Sequence, residues 1–581
     1  MRSQLAIALG QFSTAGLKPA NQDFHGVVQP EGADLASKGI AVAIADGIST
    51  GTLGATAAET AVKSFLADYY CTGEAWSVRT SADRVISATN SWLHAQNRRR
   101  AGGIPSDQER ERGLVCTFTA LVLKGRSAHI FHVGDARIAR LSGGAVEPLT
   151  EAHRVSLGGG ETYLGRALGV NRNVQVDYRQ FAVEPGDVFL LTTDGVHDFL
   201  PDTRLAELAA RVAMEGEDLD DAAAAICAAA LEAGSIDNVT VQVIRIEALP
   251  DGEVDDLIGH DVALPVPPPL RPGDEFEGYT ILRELHSGAR SHVYLARDSS
   301  GGTSLALKIP ATERAEDADH VRALLLEEWV ARRLDHPNVL RAPPVRRARR
   351  HAYAVTEYVE GQTLAEWVAD NGRPDLVQLR SIVGQVAAGL LAFHRREMLH
   401  RDLRPENILI DKEGAVKIID FGSVQVAGID ELTGHSDEAA FAGTMQFSAP
   451  ELYLGAAASP QSDLFSLGVI AYWLLTSHLP YGPRVSAAGT RAAQRRLRYT
   501  PATEYNPAVP DWVDAAIAQA VSIAPERRYA ELSEFTFDLA KPNSALVSPD
   551  PRPLVAQDSV RIWQAISAVL LVLLILALVR G

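Results

Sequence analysis

The stretch HRDLRPEN, His400–Asn407, sets an aspartate and an asparagine five residues apart, and KIIDFGS follows with Asp420 at the end of an apolar run. Upstream, SLALKI places Lys308 in an apolar, strand-like segment. Moving a phosphoryl group from a nucleotide to a hydroxyl needs few parts: a lysine on the α/β-phosphates, oxygens that hold Mg2+, and an aspartate that orients the incoming hydroxyl. Lys308, Asp420 with Asn407, and Asp402 match those needs. Each alone is weak, since a strand lysine is commonly an edge residue; their order and spacing carry the inference. Ahead of them, LHSGARSHV (residues 285–293) has one central glycine, Gly288, where a phosphate-covering loop needs its backbone N–H groups to come close. His286 and Ser291 stand where further glycines would serve.

A second set lies in the N-terminal half. Asp46 in IADGIS, Asp194 in TTDGV and Asp237 in SIDNVT adjoin apolar strand-like runs, and Asp23 stands in NQDFHG. One Asp-Gly is a turn signal. Several carboxylates gathered on one rim repel each other, and an all-oxygen set suits Mg2+ or Mn2+. Two such ions can deliver a hydroxide in line to phosphorus.

These residues need elements to hold them. GIAVAIADG and DVFLLTTDG are apolar strands, NVTVQVIRI alternates with period two, and TAAETAVKSFLADYY carries Ala58, Val62, Phe65 and Tyr69 on one helical face. MRSQLAIALG supplies a first strand. In the second half, YTILREL, HVYLARD and SLALKI read as strands, and from about residue 320 the pattern turns helical. A small β-rich part followed by a larger α-rich part predicts two lobes with a cleft between them.

The 581 residues, at roughly 150 per domain, allow two to four domains. The net charge of -18 argues against nucleic acid as a partner, and the runs Arg98–Arg100 and Arg346–Arg350 are expected to be solvated faces. Cys71, Cys116 and Cys227 form no CxxC and fit a reducing compartment, each as a small buried hydrophobe. Pro-rich or acidic stretches divide the chain into 1–246, a linker 247–272, a second unit 273–541, a juxtamembrane linker 542–560 and an apolar tail 561–580. Within the tail, the eighteen residues Ile562–Val579 are free of charge, and as a helix they span about 27 Å, close to the roughly 30 Å hydrocarbon core. The expectation is a single-pass C-terminal anchor in the inner membrane, with everything before it cytoplasmic.

The N-terminal unit resembles the metal-dependent Ser/Thr protein phosphatases of type 2C. KPANQD, AIADGIS, FHVGDARIAR, LTEAHRV, GRALG, LLTTDGVHD and GSIDNVTV come in family order. The resemblance implies a β-sandwich flanked by helices. It implies that Asp46, the Gly47 carbonyl, Asp194 and Asp237 hold a metal pair supported by Asp23, that Asp135 serves a third Mn2+ or Mg2+, and that water attacks without a phospho-enzyme. Lys18 stands where the family's phosphate-gripping Arg is usual; lysine keeps the charge without the bidentate fork.

The second unit resembles the eukaryotic-type Ser/Thr protein kinases, which implies a bilobal fold, ATP and Mg2+. SAPEL, SDLFSLGV and APERRY match later motifs of that family. The resemblance sets Glu327, or its neighbour Glu328, against Lys308. It makes Leu285 and Val293 the walls of the adenine site beside Gly288, and gives Arg404 the place of a lysine that contacts the transferred phosphate. Arg401 before Asp402 implies control by loop phosphorylation, with Thr433 and Ser436 as candidates. The combination looks bacterial. The expected function is a membrane-anchored enzyme that both phosphorylates and dephosphorylates protein Ser/Thr, its own kinase loop included. The sparse loop and Arg404 leave a nucleotide-binding pseudokinase regulator, or a non-enzymatic scaffold, as alternatives.

Overall fold

The computed structural model describes residues 4–48, 53–101, 113–142, 144–157, 161–210, 218–250, 264–288, 290–312, 317–344, 348–433, 446–543 and 546. In the N-terminal unit the strands are β1 (Ala6–Thr14), β2 (Phe24–Val28), β3 (Ile40–Ala45), β4 (Phe118–Lys124), β5 (Ser127–Val133), β6 (Arg137–Ser142), β7 (Ala145–Pro148), β8 (Arg154–Leu157), β9 (Glu161–Leu164), β10 (Asp177–Ala182), β11 (Val188–Thr192) and β12 (Val239–Ala248). Ten of them make two antiparallel sheets, ordered β1-β12-β11-β6-β7 and β10-β5-β4-β3-β2.

Period-two alternation decides the layers. In β3, Ile40, Val42 and Ile44 face the other sheet, where Phe189, Leu191 and Ile244 meet them. Ala41, Ala43 and Ala45 face the opposite way, under helices Leu53–Asp68 and Val78–Arg100. Small residues on that face let the helices settle close to the sheet. On the far side Leu190, Val241 and Val243 pack under helices Asp202–Ala210 and Leu219–Glu232. The result is a sandwich with a helical layer on each outer face. The predicted helical stripe holds, with Ala58, Val62, Phe65 and Tyr69 all buried.

In the second unit a five-stranded sheet joins β13 (Glu275–Phe276), β14 (Tyr279–Ser287), β15 (Ser291–Asp298), β16 (Ser304–Pro310) and β17 (Ala354–Glu357) in sequence order. Helix Ala318–Arg333 packs on β16 and β17. The larger lobe is built around helix Pro460–Thr476, buried along nearly its whole length, with Leu376–His394 against it. The latter is, among the described residues, one helix long and apolar enough to cross a membrane, yet it packs into this core. The apolar run 562–579 and its juxtamembrane stretch 547–560 lie outside the described residues.

Two expectations change, and the linker gains an anchor. Cys71 is exposed, because it sits on the turn after helix Leu53–Asp68, whereas Cys116 and Cys227 are buried. Arg349 is not solvated: it is buried on Glu328, with both Glu328 oxygens 2.7 Å from Nη2. The Pro-rich linker is anchored at its far end, since Leu264 and Val266 pack on Val321, Leu325 and Ala352, and the Pro265 carbonyl accepts from the Ala352 N–H.

Candidate active sites

Strand register assembles the carboxylate rim. Asp46 follows β3, and Phe24 pairs with Ala45, so Asp23 lies beside Asp46. Thr192 pairs with Val241, which sets Asp194 and Asp237 at the same end of the neighbouring sheet. Asp23 is buried; its Oδ2 accepts from Thr193 Oγ1 at 2.9 Å and Thr240 Oγ1 at 2.6 Å, and its Oδ1 has no hydrogen-bond partner among the described residues. Gly47 must be glycine: a Cβ there would stand 2.3 Å from the Gly54 carbonyl carbon.

The electrostatics of the rim are those of crowded anions. Burial, then the charges of Asp23, Asp194, Asp135 and Asp237, push Asp46 well above the usual carboxylate range. Burial first, with Asp135 and Asp237 adding to it, pushes Asp194 up to about 7. Burial pushes Asp23 up to about 6 against its two threonine hydrogen bonds. Among the described residues no three acidic, histidine or cysteine side chains converge into a closed coordination shell. Cations divide them instead. Arg154 reaches Asp135 (2.9 Å), Asp194 (3.3 Å) and Asp198 (2.8 Å), and Lys18 sits 3.1 Å from Asp237. An unpartnered buried oxygen on Asp23 and mutually repelling carboxylates are nevertheless the donor chemistry that a divalent cation satisfies.

In the second unit the lobes meet around Lys308. Its Nζ is 2.6 Å from Glu327 Oε2 and 3.7 Å from Asp420 Oδ1. Glu327 is therefore the helix partner; Glu328, one residue on, turns to Arg332 and Arg349. Burial alone would push the Lys308 ammonium down, but Glu327 and Asp420 overcome it and hold the pKa above the usual lysine range. Burial likewise works against ionised Asp420, and the Lys308 charge with the Gly422 N–H outweighs it, leaving its pKa below the usual value. Asp420 adopts φ 65°, a strained backbone for a non-glycine residue. Asn407 Nδ2 donates to the Asp402 carbonyl at 2.8 Å and to Asp402 Oδ2 at 3.3 Å, which holds the two together.

Val293 pairs directly with Lys308 across β15 and β16. Leu285 falls at a bulge in β14, and the Gly288 N–H donates to the Ser291 carbonyl, closing the hairpin. The His286 ring lies against Gly288, within 2.9 Å of where a Cβ would stand. Arg404 donates from Nε to Glu406 at 2.7 Å. Thr433 ends the helix Ala427–Thr433, and Ser436 lies outside the described residues.

The family model for "Protein kinase domain" matches residues 279–535, and that for "Protein phosphatase 2C" matches residues 17–230. The chain is 31% identical over 282 residues to serine/threonine-protein kinase PknL of Mycobacterium tuberculosis, covering 48% of this chain and 69% of that protein. It belongs to the protein kinase family. It is also 31% identical over 261 residues to serine/threonine-protein kinase PrkC of Bacillus subtilis, covering 45% of this chain but only 40% of PrkC. The crystal structure of the M. tuberculosis PknI kinase domain is similar at 25% identity, with a TM-score of 0.37, over 47% of this chain and 99% of that one. The chain thus joins a protein phosphatase 2C domain to a protein kinase domain.

Several further residues organise the two sites; they stand in motifs that carry the resemblances, SAPEL, SDLFSLGV, APERRY, GSIDNVTV and LTEAHRV, but their contacts are visible only in the fold. In the kinase domain Asp463, inside SDLFSLGV, accepts from the His400 and Arg401 N–H groups at 3.0 Å and from His394 at 2.9 Å, pinning the backbone just before Asp402. Arg528 and Glu451 form a buried two-pronged pair at 2.7 Å. In the phosphatase domain Asn238 holds the Lys18 loop, donating to the Ala15 and Ala20 carbonyls and accepting from the Gln22 N–H. Arg154 stood inside the quoted LTEAHRV, but only the fold shows its three carboxylate partners.

Proposed function

We propose that this chain transfers phosphate from ATP to protein Ser/Thr with its kinase domain and removes phosphate from protein phospho-Ser/Thr with its phosphatase domain. The observation that carries the kinase half is the Lys308–Glu327–Asp420 cluster beside the Asn407–Asp402 pair. Lys308 stays charged to hold the nucleotide phosphates, Asp420 and Asn407 present oxygens for Mg2+, and Asp402 orients the incoming hydroxyl. Gly288, Leu285 and Val293 line the nucleotide site, and Arg404 offers charge to the transferred phosphate. With these parts assembled, neither a pseudokinase nor an inert scaffold is favoured.

In the phosphatase domain Asp46, the Gly47 carbonyl, Asp194 and Asp237 are the residues that would hold two Mn2+ or Mg2+, with Asp23 behind them and Asp135 for a third. Bound there, the ions supply the Lewis acidity that makes water a nucleophile at neutral pH. Lys18, now paired with Asp237, would supply charge to the substrate phosphate. The substrates are phosphoproteins, with the activation segment of the kinase, at Thr433 or Ser436, among them. The apolar run near the C-terminus is a membrane anchor that holds both domains on the cytoplasmic face of a bacterial inner membrane.

One experiment tests both halves. The full chain in detergent is given Mg2+ and labelled ATP with a generic protein, then Mn2+ with a phosphopeptide. Label transfer lost only in Asp402→Asn, and phosphate release lost only in Asp194→Asn, are the expected results. Either activity surviving its own substitution overturns that half.

A further inference from the structure

The two domains meet on a face that neither proposed reaction uses. On the phosphatase side it is formed by the turn before helix Val78–Arg100, the first turn of that helix, and Lys124 at the end of β4. On the kinase side it is formed by Glu397 and by the helix Ala427–Thr433, seven residues beyond Asp420. Glu397 accepts from the Ser77 N–H (2.8 Å), Ser77 Oγ (2.9 Å) and Thr80 Oγ1 (2.6 Å). Glu431 accepts from the Val78 N–H at 3.0 Å, and the Gly428 N–H donates to the Ala75 carbonyl at 3.0 Å.

Lys124 shows that this face is built for its occupant. Its side chain is 0% exposed, and its two hydrogen-bond acceptors, the Gly428 carbonyl (2.7 Å) and Glu431 (3.1 Å), both belong to the kinase domain. A buried ammonium stripped of its carboxylate is strongly unfavourable. Gly428 is fitted just as closely: a Cβ there would stand 2.9 to 3.0 Å from the carbonyl oxygens of Ala75, Glu74 and Trp76. Glu74 also pairs with Arg333, the last residue of the helix that carries Glu327. One phosphatase surface therefore holds both the activation segment and the helix that supplies the partner of Lys308.

Register places this face far from the carboxylate rim. Leu123 pairs with Ile40 at one end of β3 and β4, and Asp46 follows the other end of β3. Six residues of strand from Ile40 to Asp46 span about 20 Å. Thr433 lies two residues beyond Glu431, and two residues of chain reach at most about 7 Å.

We propose that this pole of the phosphatase domain is a docking site for the kinase's own activation segment, one that steadies the Lys308–Glu327 arrangement and keeps Thr433 out of reach of the same chain's carboxylate rim. Phosphate on Thr433 is then removed by a second copy of the chain. That last step rests on the phosphatase reading above; the docking itself does not.

The test uses the full chain with Gly428→Ala and, separately, Glu431→Gln, neither of which touches a residue placed in either site. The Ser77, Val78 and Gly428 N–H groups are satisfied across the interface, so hydrogen exchange reads docking directly. Exchange over residues 75–78 and at Gly428 is expected to rise at least about tenfold in both variants, with β3 and β4 unchanged. Unchanged exchange in both variants overturns the docking. Label transfer should fall severalfold while phosphopeptide hydrolysis stays at the parent rate; a rise in label transfer overturns the steadying role. In the parent, the half-time for loss of phosphate from Thr433 should shorten as chain concentration rises, and in Gly428→Ala a concentration-independent route should open. A concentration-independent rate in the parent overturns the separation from the rim. If the parent releases no phosphate from any substrate, the phosphatase reading fails while the exchange result still decides the docking.

Discussion

Lys308, on a strand, donates to Glu327, on a helix, across 2.6 Å, and it is the Glu327 position rather than Glu328 that completes the pair. Two consequences can be separated by substitution. Lys308→Met removes the phosphate-holding charge and should lower kinase kcat/KM by about 100-fold or more. Glu327→Gln keeps the shape and loses the charge, and should cost less. Both should leave phosphopeptide hydrolysis unchanged, and Glu328→Gln should act on stability through Arg349 rather than on label transfer. Steady-state kinetics of the four proteins check this, and a Glu328→Gln loss as deep as that of Glu327→Gln would count against the assignment.

Arg154 competes with the metals that the rim is proposed to hold. It spans Asp135, Asp194 and Asp198, so a divalent cation must displace or rearrange it. Removing a neighbouring cation also leaves the rim more negative. Arg154→Ala should therefore bind Mn2+ about three- to tenfold more tightly by titration calorimetry, in line with the modest worth of partly exposed ion pairs. Weaker binding would mean that Arg154 gathers the carboxylates rather than blocks them.

What could be read before folding, and what could not, follows from how far apart the partners lie. Lys308, Asp402, Asn407 and Asp420 announce themselves because short segments carry their order and spacing, and the alternation in β3 and β12 exposes both layers of the sandwich. The sequence leaves Glu327 against Glu328 undecided because adjacent helical positions point about 100° apart and only the packing of the helix on β16 chooses. Lys124 and Glu431 lie 307 residues apart; each alone reads as a surface charge. Nothing local says that Lys124 is buried, since its place at a strand end predicts exposure. Arg349 reads as solvated for the same reason, its run of arginines masking one buried ion pair. Nothing local marks Leu264 and Val266, in the Pro-rich linker, as residues that pack on Val321 and Leu325.

A buried histidine should make the phosphatase domain acid-sensitive. His129 is fully buried on β5, 3.0 Å from the Tyr178 hydroxyl, and burial pushes its pKa down to about 3, with Lys124 adding to the effect. Unfolded, it titrates near the ordinary value of about 6.5. Between those values the unfolded chain binds the extra proton, so this contribution is complete above about pH 6.5 and is lost as pH falls toward 3. At pH 5 the loss is on the order of 2 kcal/mol. The parent's first thermal transition should drop more steeply between pH 7 and pH 5 than that of His129→Gln. Parallel slopes would show that His129 is not the group responsible.

Arg528 and Glu451 test how far the α-rich lobe depends on one buried pair. Both guanidinium prongs reach Glu451 at 2.7 Å, and Nε and Nη1 also donate to the Ser522 and Gln461 carbonyls at 2.8 and 2.9 Å. Truncating one partner leaves the other charge buried and unpaired, which costs about 3–5 kcal/mol. Arg528→Ala should lower the unfolding temperature of the kinase domain and abolish label transfer on mild heating, while phosphopeptide hydrolysis persists. Arg528→Lys keeps the charge but cannot reproduce the planar fork, and should recover only part of the loss. The paired change Arg528→Met with Glu451→Leu removes both charges together and should be less harmful than Arg528→Ala alone. If the double variant is as unstable as the single one, the carbonyl contacts of Arg528, not the ion pair, hold this part of the lobe.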